Sequence, residues 1–134
     1  MGRLSDWSDR LIQHIEDWRH KKFEWGKSDC ALFCLYAEKA MCGTSRFDEF
    51  LGQYSSAKGS IKALRQYGQK NLSDTVSDRL PEVDLLQAQR GDIALVDTPT
   101  GDALSLVIGN KLAAMGENGL VFLPLSAAKK TWRV

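Results

Sequence analysis

The sequence predicts an α+β domain, with N-terminal helices packed on a C-terminal antiparallel sheet of short strands. Two observations lead to that class. Apolar residues recur at helical spacing through the first two-thirds of the chain, and short apolar runs bounded by Gly, Asn, Pro or Asp fill the rest. A length of 134 residues, 43% hydrophobic content and four Trp suit a single domain 1–134 with its own core. Its helical part is expected over about residues 1–88 and its β part over about residues 89–134. No internal repeat, linker or low-complexity stretch divides it.

Residues 4–20 form the first expected helix. Trp7, Leu11, Ile15 and Trp18 line one face, and Ser5 is the expected N-cap. His14 falls on the same face, where a packed, hydrogen-bonded imidazole is the simplest use. Residues 21–27 break the pattern, with Gly26 as punctuation. A second helix is expected over 28–42, capped by Ser28, with Asp29 at the positive end of the helix dipole and Gly43 as the stop. Its buried stripe would be Cys30, Cys34, Ala37 and Met41, with Phe33 alongside. Residues 44–56 read as irregular, held down by Phe47, Phe50, Leu51 and Tyr54. A third helix over 57–67 ends at Gly68, and a short fourth over 73–80 stops at Pro81. After a Gly91-Asp92 turn, strands are expected over 93–96, 104–108, 112–115, 120–123 and 131–134, as an antiparallel meander.

Charge excludes some partners. Eighteen Lys and Arg against 17 Asp and Glu leave +1, with both signs interspersed, so neither nucleic acid nor an anionic membrane surface is an expected partner. The opening MGRLSDWSDR lacks the apolar core of a signal peptide, and no apolar run reaches membrane-spanning length. Three cysteines without a CxxC pair imply free thiols in a reducing compartment. Cys30, Cys34 and Cys42 have no His or fourth Cys at zinc spacing, so no metal and no cofactor are expected.

The stretch FEWGKSDCALFC carries the chemistry. A thiol in the first turn of a helix meets unsatisfied backbone N–H groups and the positive end of the dipole, and both favour the nucleophilic thiolate. Trp25 and Gly26 would supply a wall and a close backbone approach, which suits acyl transfer. The competing use is structural, because cysteine is among the most buried residue types and Cys30 shares a stripe with Cys34.

Trp25-Gly26, with Asp29-Cys30-Ala31-Leu32-Phe33, resembles the nucleophile segment of NlpC-like cysteine peptidases. Arg90-Gly91-Asp92-Ile93-Ala94-Leu95-Val96 is similar to the Gly-Asp lead-in to the first strand of that papain-like fold. The chain more closely resembles an uncharacterised family of phage and prophage tail-cluster proteins. The shared features include Phe23-x-Trp25-Gly26, Ala40-Met41-x-Gly43, Gly52-x-Tyr54-Ser55, Gly119-Leu120-Val121-Phe122-x-Pro124-Leu125 and Trp132-Arg133-Val134. The resemblance implies a papain-related fold, with Cys30 as candidate nucleophile and Trp25, Gly26, Asp29 and Asp92 as candidate binding residues. It also implies synthesis in the bacterial cytoplasm and incorporation in a virion tail. The implied partners are other phage tail proteins or peptidoglycan peptides.

The chain departs from the peptidase pattern at one decisive point. The family's basic His belongs at the start of the strand that here reads Asp102-Ala103-Leu104-Ser105-Leu106-Val107-Ile108-Gly109, and that strand has none. Only His14 and His20 are present, both before the Cys segment. Either could serve as base only if the first helix turned its ring towards the thiol. Asp102 would be a weak base, and the Ser105 hydroxyl is not basic near neutral pH. A positioned general base contributes about 10²–10⁴-fold, so its loss points to a scaffold kept for binding or assembly. The expected function is therefore a tail-associated domain without the standard catalytic His. The alternative is an active cysteine hydrolase of cell-wall peptides with an atypical base.

Other features have plainer readings. Arg90-Gly91-Asp92 is expected as a turn into a strand rather than an adhesion motif. Trp18, Trp25 and Trp132 suit core packing better than a sugar-stacking shelf. His20-Lys21-Lys22 reads as a solvated helix end.

Overall fold

Local chemistry at residues 26–43 sets the central helix. Asp29 is extended (φ −92°, ψ 176°) and its side chain accepts from the Leu32 N–H, so the helix starts at the next residue. Gly43, in the left-handed region at φ 84°, closes the other end. In the computed structural model, which describes residues 2–134, this is α2 (Cys30–Cys42). The other helices are α1 (Trp7–Trp18), α3 (Ala57–Tyr67) and α4 (Leu72–Ser77). The strands are β1 (Glu82–Val83), β2 (Ile93–Thr98), β3 (Gly101–Val107), β4 (Lys111–Gly116), β5 (Gly119–Pro124) and β6 (Lys130–Trp132).

The six strands form one antiparallel sheet in the order β1-β6-β2-β3-β4-β5. The expected meander holds for β2 to β5. The last strand instead returns to the far side of β2, setting Ile93 opposite Trp132. β1 was not expected: two residues carry no period, and it forms only because β6 supplies a partner.

α2 lies between α1 and β3. Leu32, Phe33, Cys34, Leu35, Ala37, Glu38 and Met41 are all buried, a much wider surface than the single expected stripe. Leu11, Phe33, Met41, Ile93, Leu106 and Trp132 anchor the main core. On the opposite sheet face, Ala94, Val96, Val107 and Leu112 form a smaller core.

Several boundaries differ from expectation, β3 beginning at Gly101 rather than 104 and β6 covering Lys130–Trp132 rather than 131–134 among them; three helix ends have a local cause. α1 starts at Trp7, so Ser5 is not its cap. Asp6 holds that position without a capping bond, and its carboxylate accepts from Arg10 Nε at 2.8 Å. Ser28 is not the cap of α2, because its hydroxyl donates to the Lys22 carbonyl at 2.5 Å. α4 ends at Ser77; Leu80 precedes Pro81, which disfavours helical backbone there.

Candidate functional site

Cys30 is the first residue of α2, and the helix carries it against β3. The side chain is half-buried, and burial pushes its thiol up. The backbone at Leu104, Ala31 and Cys30 itself pulls the other way and loses; the Asp29 carboxylate pushes the thiol further up. The expected bias towards thiolate is thus reversed, because desolvation outweighs the helix terminus. Among the described residues, no side-chain hydrogen bond joins the Cys30 sulfur to an imidazole or carboxylate.

A cavity of about 540 Å³ opens beside Cys30. Phe23 and Trp25 wall one part, Phe47, Phe50 and Tyr54 another. Ile61 and Leu64 of α3 also line it, and Thr98, Thr100 and Asp102 stand at the β2–β3 turn. The ring of Trp25 meets Phe23 edge-on at 4.9 Å and stays 37% exposed.

Asp29 organises this wall. It is fully buried; Oδ1 accepts from the Leu32 N–H at 2.9 Å, and Oδ2 from the Gly26 N–H at 2.9 Å and the Tyr54 hydroxyl at 2.7 Å. Burial and the Asp29 carboxylate push the Tyr54 phenol well up, so it remains a donor. Gly26 sits at φ 80° with the Tyr54 carbonyl where a Cβ would project, so a side chain there would be both strained and obstructed. Gly26 is therefore a close approach, but to the protein's own backbone. Tyr54, which sequence reasoning treated only as an apolar anchor, is the missed member of this group. Its one signal was the Gly52-x-Tyr54-Ser55 motif, because nothing in periodicity links positions 29 and 54.

The remaining candidates lie elsewhere. His14 Nε2 is 2.9 Å from the Phe33 carbonyl, which can only accept, so that nitrogen carries the hydrogen. Its ring stacks on Phe33 at 5.0 Å and tilts against Trp18 at 5.4 Å. Burial lowers its pKa to about 4. His20 is exposed beyond the end of α1, beside a separate surface groove formed with β5. Neither histidine is among the described residues lining the Cys30 cavity.

Asp92 is fully buried and is not among the described residues lining the Cys30 cavity. It accepts from Arg3 Nη2 at 3.1 Å, Arg133 Nε at 3.0 Å, the Gln89 N–H at 2.8 Å and the Val134 N–H at 3.1 Å. The Arg90-Gly91-Asp92 segment is a turn into β2, and the Arg90 Nη1 donates to Ser8 Oγ at 2.7 Å. Ser105 is buried and donates to the Ala94 carbonyl. Asp102 lines the cavity and pairs with Lys129 at 2.9 Å. Trp18 and Trp132 are buried, the latter donating to Ser77 Oγ at 3.0 Å, so only Trp25 opens towards the cleft.

Among the described residues, no three His, Cys, Asp or Glu side chains gather as metal ligands, and no helix is long and apolar enough to cross a membrane. The chain belongs to a family described as a domain of unknown function (DUF6950), whose model matches residues 2–134. No curated protein matches it.

Proposed function

We propose that this DUF6950 member is a phage or prophage tail-associated domain on an NlpC-like, papain-related scaffold that binds its partner and does not hydrolyse it. It is made in the bacterial cytoplasm and acts in tail assembly, or at the tail tip against the host cell wall. One observation carries the reading: Cys30 opens a helix beside an apolar cleft, with no imidazole lining that cleft. A helix laid across an antiparallel sheet supports the scaffold, and the sequence motifs support the tail setting. β3 meets Cys30 through Leu104, near where a peptidase would present its base. Without that base, hydrolysis loses about 10²–10⁴-fold, and the raised thiol removes the remaining source of activation.

A second reading, a thiol hydrolase of peptidoglycan peptides, is favoured by the presence of Asp102 on the same cleft as Cys30. Incubating purified sacculi with wild type and Cys30→Ala separates the two. The binding reading expects no muropeptide release from either protein. Release by wild type that disappears in Cys30→Ala would establish the hydrolase instead.

A further inference from the structure

We infer that the Cys30 cleft receives a peptide segment of a partner protein carrying large apolar side chains next to a Lys or Arg. This rests on the binding reading and specifies the partner's chemistry. The cavity, about 540 Å³, falls inside the range of roughly 300–1,000 Å³ typical of ligand clefts. Its apolar surface also continues outwards. Ile61 and Trp25 line the cavity yet remain 52% and 37% exposed, so an occupant must cover a surface as well as fill a hole. A chain segment does both.

Charge decides which segment. The only formally charged residues lining the cleft, among those described, are Asp29 and Asp102; no Lys, Arg or His joins them. Asp29 is satisfied by two amides and a phenol, none of them a cation. Asp102 shares Lys129 with Asp97, so two carboxylates and one ammonium leave that rim at −1. These side chains are 40–75% exposed, so their field acts at contact range and weakens with added salt. A carboxylate-bearing peptide would meet like charge, whereas a cationic side chain beside Asp102 completes the rim. At the same rim the Thr98 hydroxyl donates to the Gly101 carbonyl at 2.7 Å and lies 3.2 Å from the Thr100 hydroxyl, whose oxygen keeps lone pairs for a backbone N–H.

The test uses two probes, the N-acetylated, amidated peptides Lys-Leu-Phe-Leu-Lys and Glu-Leu-Phe-Leu-Glu. Each is titrated against wild-type protein while alkylation of Cys30 by N-ethylmaleimide is followed by mass spectrometry, with Cys42 as internal control. The cationic peptide is expected to protect Cys30 at a concentration about tenfold lower than the acidic one, the ratio that 1.4 kcal/mol gives. Asp102→Lys, at a 40% exposed side chain, is expected to reverse that order. Equal protection by both peptides, preference for the acidic one, or no protection by either overturns the inference, and the wild-type comparison alone decides if the variant does not fold. Protection by an acidic muropeptide fragment alone would overturn this inference and leave the binding reading standing. Wild-type hydrolysis of sacculi would remove the binding reading itself.

Discussion

Three donors converge on the Asp29 carboxylate, and each joins a different piece of chain: the Gly26 turn, the first turn of α2 and Tyr54. Truncation would orphan all three, the Leu32 N–H in a buried place and the other two in part-buried ones. Asp29→Ala is therefore expected to destabilise the fold by about 2–4 kcal/mol in urea unfolding, combining a lost cap with unsatisfied donors. Ser28→Ala, which removes only a bond to the Lys22 carbonyl, should cost about 1 kcal/mol. Similar losses for the two variants would contradict the assignment of Asp29 as the cap. His14 gives a pH signature. Its pKa is about 4 in the fold, against about 6.5 for a free imidazole. The unfolded chain thus binds the extra proton first as pH falls. The His14 contribution is complete above pH ~6.5, is lost between pH ~6.5 and ~4, and amounts to something on the order of 3 kcal/mol. His14→Phe should flatten stability across that window, and an unchanged pH profile would show that another group sets it.

Among the elements, α2 and α3 behave oppositely. α2 is buried along most of its length, whereas Ala63 is the only buried residue of α3, and Ile61 and Leu64 face the cleft rather than a packed core. Amide exchange in α3 is accordingly predicted to be faster than in α2 by at least about tenfold, since poorly buried elements open with smaller free energy. Equal protection would mean that α3 is held by something other than its packing. The same contrast explains what the sequence could disclose. The limits of α3 follow from Ser56 and Gly68, short-range signals that act where they stand. α2 starts two residues later than expected, with its cap at Asp29 and not Ser28, because both residues have capping chemistry and only the Lys22 carbonyl decides between them. β1 and the return of β6 to β2 depend on long-range pairing, which leaves no local trace.

For the whole molecule, Asp92 ties both ends of the chain to the start of β2, through Arg3 on one side and Arg133 and the Val134 amide on the other. Asp92→Ala should destabilise the protein by about 3–5 kcal/mol, because it strands part-buried guanidinium groups. Little change in thermal unfolding would show that the clasp is dispensable. This role was hidden in the sequence, where a Gly-Asp turn looks the same whether it binds a ligand or the chain's own termini. The absence of histidine from β3, by contrast, was legible in the sequence, since both histidines lie upstream of Cys30. The cleft itself was not, since Trp25, Tyr54, Ile61 and Asp102 meet only after folding. The account turns on an unactivated thiol at position 30. The rate of Cys30 alkylation by iodoacetamide in native protein, followed against pH, tests this most directly. Reactivity should rise only above the ordinary cysteine pKa of about 8.5, because burial opposes the charge. A plateau of reactivity already reached at neutral pH would reveal a thiolate held by a cationic partner and contradict the account.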